Sequence, residues 1–489
     1  MTDSPAPAPS GLGPLPLCAP EARIFILISA ILASALGFID GSMVAIALPG
    51  MRASLDGSLV QAQWISNAYM LTLSSLILVG GAAGDRFGLA RVFGGGIMLF
   101  VVASMACALA PSPEFLIAAR ALQGVGAAFM VPGSLALISR AYPDHERGRA
   151  IGIWAAAAAV TSGLGPIIGG VALTFGGPET WRWIFGINLP LGGIALFLLW
   201  TRVEQDPAQP SRGLDLPGAS LATLALGSFA LALTGAESGR SFDFFYGGVG
   251  LIAFIAFLIT EYNSPHPMMP LTLFRNWGFS AANVVSFFVY FAFSAILFYL
   301  PMVVIGGWGI TEIETSAAYA PLSVFISLLS GTAGRMVSKV GPAPLLMSGS
   351  VVLAIGYASL AMAIPTQNFW AAVMPAMCLQ GIGMGLVVAP LSTAVMSSVD
   401  GKTTGTASGI NNAVTRMAGL IAVAAMGSVV ALGYAGAEGP ASFGAFSSDP
   451  AHAMASNEAF VQVAWFASAL CMMAALVSYL TGIRKPYRG

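Results

Sequence analysis

Fourteen apolar runs of about twenty residues each leave this chain few folds to choose from. They fall near 24–48, 62–83, 92–110, 115–139, 150–174, 183–201, 217–235, 245–262, 279–302, 315–333, 344–364, 369–396, 404–431 and 459–482. A bilayer core takes about 20 apolar residues per helix, and a spanning segment must satisfy its own backbone polar groups. The expectation is therefore an all-α integral membrane protein with fourteen spans. Only 8% of the 489 residues are charged and 57% are hydrophobic, whereas a soluble domain carries about 25% charged residues. The net charge of −1 leaves no electrostatic footprint for nucleic acid. Cys18, Cys107, Cys378 and Cys471 lie far apart, and His145, His266 and His452 sit in connections, so no disulfide framework or zinc cluster is indicated. GIGMG at Gly381–Gly385 lies inside an apolar run without the strand a phosphate loop needs. No cofactor and no enzymatic chemistry are expected. Residues 2–20 are rich in Pro and Ala, lack a basic n-region, and read as a disordered tail (1–23 with its flank) rather than a signal peptide.

With the N-terminus inside, fifteen of the 20 Lys and Arg fall in cytoplasmic connections or tails. Arg52, Arg182 and Arg240 fall outside, while Arg120 and Arg416 fall within spans. That bias places both termini in the cytoplasm. The chain also repeats itself. LQGVG at Leu122–Gly126 returns as LQGIG at Leu379–Gly383, and the same offset carries Gly148, Ala150 and Gly152 onto Gly405, Ala407 and Gly409. GGAAGDRFGLAR at Gly80–Arg91 returns as GRMVSKVG at Gly334–Gly341. Two copies of one helical layout are a transporter signature. Spans 1–6 (24–201) form one bundle and spans 9–14 (279–489 with the tail) the other. The stretch 202–278 holds a polar linker and spans 7 and 8, which have no counterpart. Gly433–Glu458 reads as a long, mostly small-residue external connection.

Five stretches resemble the fourteen-span drug:proton antiporters of the major facilitator superfamily. Gly81-x-x-Gly84-Asp85-Arg86-Phe87-Gly88-x-x-Arg91 is similar to the superfamily's loop between spans 2 and 3, with Leu89 and Ala90 replacing the usual basic pair. Arg120-Ala-Leu-Gln123-Gly124-x-Gly126 is similar to the span 4 motif. Gly165-Pro166-x-x-Gly169-Gly170 is similar to the antiporter motif of span 5, with Thr161 in place of a leading Gly. Asp40-x-Ser42 through Ala47-Leu48-Pro49 resembles the span 1 signature, with Ser42 for Thr and Ala45 for Asn. WRWIFGINLP at Trp181–Pro190 is also typical of the fourteen-span group. The resemblance implies two bundles that rock around a midplane site, and export across the cytoplasmic membrane.

A charge inside a span is a functional candidate by default. Here each one breaks the repeat: Asp40 faces a counterpart near Phe291–Ser294, Arg120 maps to Met377, and Arg416 maps to Ala159. The resemblance puts spans 1 and 4 along a central cavity, where Asp40 and Arg120 could meet. Asp40 is then the exchangeable carboxylate and Arg120 its tuning partner; the alternative is a fixed ion pair that only sets packing. Gln123 lies one turn from Arg120, and Asn412 and Arg416 share a face. Gln123, Asn411, Asn412 and Arg416 are candidates to line the cavity or to act as polar glue between helices. Asp85, Arg86 and Arg91 sit at the rim, where the resemblance implies a latch between bundles; a plain charged turn is the alternative. Gly165-Pro166 permits a bend, and Gly169 and Gly170 permit close helix approach. Trp64, Tyr69, Trp154, Tyr290, Phe291 and Tyr299 are aromatic candidates for the cavity or for packing. Glu312 and Glu314 read either as cation recruiters or as part of an exposed loop. The expected partners are a small-molecule substrate, protons and the bilayer, with a monomer as the working unit. The rival readings are a neutral or anionic metabolite as cargo, carried by export or uniport, and a membrane sensor that transports nothing.

Overall fold

The computed structural model describes residues 20–177, 179–203, 213–234, 242–400 and 403–481. The tail read over residues 2–20 lies, except for Pro20, outside the described residues, as does most of the linker before span 7. Among the described residues, fourteen helices are long and apolar enough to cross a membrane. They are α1 (Arg23–Ser54), α2 (Leu59–Phe87), α3 (Leu89–Ala108), α4 (Pro113–Ala141), α5 (His145–Gly176), α6 (Trp181–Arg202) and α7 (Leu216–Leu233). The second half continues with α8 (Phe244–Asn263), α9 (Trp277–Gly307), α10 (Glu312–Val340), α11 (Pro342–Thr366), α12 (Phe369–Ser397), α13 (Thr404–Gly436) and α14 (Pro450–Thr481). Every expected span overlaps one of them.

Local chemistry sets the helix ends. Ser58 and Gln61 form a reciprocal capping box at the start of α2, and Thr311 and Glu314 form another at α10. Each box satisfies two orphan backbone donors. Glu314 is thereby used in a cap, not in an exposed loop. Two boundaries differ from the sequence reading. α1 runs through Pro49 to Ser54, and the connection read over Gly433–Glu458 shortens to 437–449 because α13 extends to Gly436 and α14 starts at Pro450. Asp449 accepts a hydrogen bond from the Ala451 amide at 2.8 Å, which caps the new helix start.

We call the face where α1 begins and α14 ends the near face, and its opposite the far face. α1 to α6 pack on one another, and so do α9 to α14. Two seams join the halves, α2 against α13 and α5 against α10. The α7–α8 pair leans on the first seam: Leu226 and Ala230 of α7 cluster with Leu420 and Ala424 of α13, and the Ser428 hydroxyl donates to the Leu233 carbonyl at 2.5 Å.

Candidate functional site

Asp40 occupies the middle of α1, flanked by the buried apolar residues Leu36, Ile39, Met43 and Val44. Arg120 lies two turns into α4, after the Ser112 cap and Pro113 that open that helix. The two side chains meet in the interior. Arg120 Nη1 donates to Asp40 Oδ2 at 2.6 Å, with 2% and 0% of the two side chains exposed. Gln123 Nε2 donates to the other carboxylate oxygen at 2.9 Å and to Ser104 Oγ at 2.8 Å. Its carbonyl in turn accepts from Arg120 Nη1 at 2.6 Å. Arg120 Nε donates to the Ile65 carbonyl at 3.1 Å, and the guanidinium lies 4.3 Å from the centre of the Tyr69 ring. Asn188 Nδ2 closes the outer shell on Ser104 at 3.2 Å. Five helices, α1, α2, α3, α4 and α6, thus supply one polar cluster inside an apolar bundle.

The physics of that cluster is specific. Two buried charges lose their hydration, and only good geometry with further hydrogen bonds offsets the loss. Here both carboxylate oxygens and at least two guanidinium nitrogens are satisfied. Gln123, a cavity candidate by sequence, is fully buried and holds the ion pair instead. Ser104 and Asn188 were not singled out by sequence. Asn188 carries a detectable signal, a lone amide in the apolar part of WRWIFGINLP; Ser104 carries none, since one hydroxyl in an apolar run is ordinary.

The other candidates separate. Asn411 Nδ2 bonds Ser286 Oγ at 2.6 Å and Asn283 Oδ1 at 3.1 Å, tying α13 to α9. Asn412 is exposed and donates to the Ser408 carbonyl of its own helix. Arg416 is half-buried, lies in the field of Tyr69 and Tyr290, and its Nε is buried with no hydrogen-bond partner. Asn412 and Arg416 start a stripe along α13 that continues through Gly419, Val423, Val430 and Tyr434. Asn412 is open, Gly419 is buried, and Val423, Val430 and Tyr434 are 5%, 0% and 4% exposed. Exposure along the stripe therefore falls from the near face toward the far face.

Polar contacts across the halves close the far end. Gln63 Nε2 donates to the Tyr299 hydroxyl at 2.9 Å, and that hydroxyl donates to the Val423 carbonyl at 2.5 Å. Arg52, read from sequence as a connection residue, is 8% exposed, bonds the Phe443 carbonyl and reaches Ser442 Oγ at 2.7 Å. Thr174 donates to Glu312 Oε2 at 3.2 Å, so Glu312 belongs to the α5–α10 seam. Tyr299 therefore serves this closure, Trp154 bonds Ser34 within its own bundle, and Phe291 packs on Phe466. Trp64 packs beside α7.

The span 5 motif shapes that seam. A Cβ on Gly165 would meet Ser42 Oγ at 2.6 Å, and one on Gly170 would strike Ser316 Oγ and lie 2.7 Å from the Glu312 carbonyl. Gly169 faces Met43. α5 thereby touches α1 with one edge and α10 with another, and it runs helical through Pro166. At the near face, Gly88 joins α2 to α3 at φ 100°, a conformation glycine adopts without strain. Gly81 lies against Pro132 of α4. Asp85 and Arg91 are exposed, Arg91 reaches the Phe87 carbonyl at 3.4 Å, and Arg86 lies 5.3 Å from the Phe87 ring centre.

Comparison with known proteins gives this architecture a place. Residues 30–424 match the Major Facilitator Superfamily. The chain is 32% identical to the methylenomycin A resistance protein of Streptomyces coelicolor over 82% of this chain and 85% of that one. It is 32% identical to the multidrug resistance protein Stp of Mycobacterium tuberculosis over 81% and 73%. It is 30% identical to a probable actinorhodin transporter of Streptomyces coelicolor over 87% and 75%. Among solved structures it resembles a bacterial homologue of the lysosomal transporter Spinster, with TM-score 0.67, 16% identity and 95% and 97% of the two chains covered. A D-xylose–proton symporter gives TM-score 0.66 at 17% identity over 94% and 99%. The chain belongs to the major facilitator superfamily and is a multi-pass membrane transporter.

Proposed function

We propose that this transporter exports small organic molecules, drugs or toxic metabolites, across the cytoplasmic membrane in exchange for protons, by alternating access. The observation that carries the reading is the Asp40–Arg120–Gln123 cluster. Asp40 is a fully buried carboxylate in the first bundle, with Arg120 on one oxygen and Gln123 on the other. A proton arriving from outside would neutralise Asp40, release Arg120 from its counter-charge, and loosen the α1–α4 contact as substrate leaves. The membrane potential adds about 2.3 kcal/mol per charge per 100 mV, so one-for-one exchange of a proton for a neutral molecule already concentrates substrate outside. The resistance functions in the names of the relatives support export.

The Lys and Arg distribution makes the near face cytoplasmic, with both termini inside. With polar contacts between the halves at the far face, this arrangement is then the loading state. In the same reading Gly165, Pro166, Gly169 and Gly170 let α5 seal against α1 and α10. Gly81, Asp85, Arg86, Gly88 and Arg91 latch the near face when the cavity turns outward. The transporter works as a monomer, without a cofactor.

Proton flux in inverted vesicles tests the reading. With an acid interior, addition of a transported compound should dissipate the pH gradient in the native protein and leave it intact in Asp40→Asn. Full proton-coupled flux in Asp40→Asn would remove Asp40 from the mechanism and favour a uniporter or a metabolite exporter coupled another way.

A further inference from the structure

The two intramembrane arginines are in opposite situations. Arg120 has a carboxylate, a glutamine and a backbone carbonyl around it. Arg416 has none of these: among the described residues no hydrogen bond or ion pair reaches its guanidinium, and its Nε is buried without a partner. Guanidinium is a five-donor planar cation that stays charged in proteins. An uncompensated one within a membrane span is costly and persists where function holds it. With Asp40 matched by Arg120, Arg416 is left, among the described residues, as a positive charge with no counter-charge in contact. Its surroundings suit an acceptor ligand. Tyr69 and Tyr290 lie within its field, Asn412 sits one turn closer to the near face on the same stripe, and Gly419 lies one turn deeper, where a Cβ would meet Ser294 Oγ at 3.0 Å.

We infer that Arg416 is the substrate-recognition residue and that the substrate is an organic anion, a molecule joining an apolar body to a carboxylate or similarly charged oxygen group. A carboxylate accepts two parallel N–H bonds from a guanidinium. Tyr290, which is partly exposed, receives the apolar part. A cationic substrate would meet repulsion at the same depth. This assignment rests on the exporter reading for its direction of transport, but the binding step stands apart from proton coupling.

The test is equilibrium binding to the purified full chain in detergent, with no gradient, using three probes of one skeleton: 2-naphthoate, 2-naphthamide and a naphthyl trimethylammonium. Naphthoate should bind about ten- to a hundredfold more tightly than naphthamide, the range of a charge-assisted hydrogen bond. Arg416→Gln should erase that preference while leaving naphthamide within about twofold, and Arg416→Lys should retain part of it. Tm of each variant, read alongside, separates loss of the site from loss of the fold. Absence of any naphthoate preference in the native chain, or a preference that survives Arg416→Gln, overturns the inference. Because binding is read in the native chain and at Arg416 with no gradient, while proton coupling is read as flux at Asp40, failure of the coupling reading and failure of this one give different results.

Discussion

Gln123 and Gln380 stand at the same place in the two copies of the LQGxG repeat, and their surroundings could hardly differ more. Both are 0% exposed. Gln123 bonds Asp40, Arg120 and Ser104. Neither the oxygen nor the nitrogen of the Gln380 amide has a partner among the described residues, and Met377 stands one turn away where the first copy has Arg120. The backbone around them is nevertheless duplicated. A Cβ on Gly126 would lie 2.9 Å from the Gly96 carbonyl, and one on Gly383 would lie 2.9 Å from the Gly349 carbonyl. Gly88 and its counterpart Gly341 both close a helix at positive φ, 100° and 83°. Small-residue packing and turn geometry repeat because both bundles need the same close helix approach in lipid. Chemistry does not repeat, and one bundle alone holds the buried acid.

The largest test of that contrast removes one charge. Asp40→Leu leaves Arg120 buried and uncompensated, and should destabilise the protein by about 3–5 kcal/mol. Adding Arg120→Met, which copies the second bundle's apolar arrangement, should recover most of that loss while transport stays abolished; thermal unfolding in detergent and proton flux read the two effects. Recovery of transport in the double variant would reduce the ion pair to packing.

Next in size is the glutamine pair itself. Gln123→Leu leaves a carboxylate oxygen and a hydroxyl short of a donor and should cost about 1–3 kcal/mol. Gln380→Leu removes two unsatisfied atoms and should be neutral or stabilising by up to about 1 kcal/mol. Equal losses at both sites would mean that Gln380 has a hidden partner and that the halves are more alike than their contacts indicate.

Two seam variants should have smaller effects. Gly170→Val forces α5 away from Ser316 and Glu312, and overpacking of this kind costs about 1–3 kcal/mol. Its reading is slower transport with probe binding retained. Tyr299→Phe deletes the far-face bridge between Gln63 and Val423, worth about 1 kcal/mol, or roughly a fivefold shift toward the far-open form. Spin-label distances across α2 and α9 at the far face report that shift.

Much of this was legible in the residues. The fourteen spans, the repeat and the motif positions follow from hydropathy and spacing, which are local properties. Asp40 and Arg120 were visible because charge in an apolar run is expensive wherever it sits. Most of their shell was not: Asn188 stands out as a lone amide in an apolar stretch, but Ser104 and the Ile65 carbonyl are ordinary groups until five helices bring them together. Asn411 and Arg416 illustrate the same limit. Both are polar residues on α13, and only the neighbours decide that one bonds Asn283 and Ser286 while the other has no hydrogen-bonding partner among the described residues. Glu314 shows a local signal that was available, since T-x-x-E before an apolar run is a capping box.

The sequence by itself determined that the chain spans a membrane fourteen times, that its halves repeat, and that Asp40, Arg120 and Arg416 lie deep in apolar runs where lipid would reject them. Those features depend on solvent, length and residue type. Tertiary structure alone decided which charges meet, which face is bridged between the halves, and which arginine is left without a counter-charge among the described residues. Contacts between helices more than fifty residues apart set each of these, and no periodicity along one helix records what faces it.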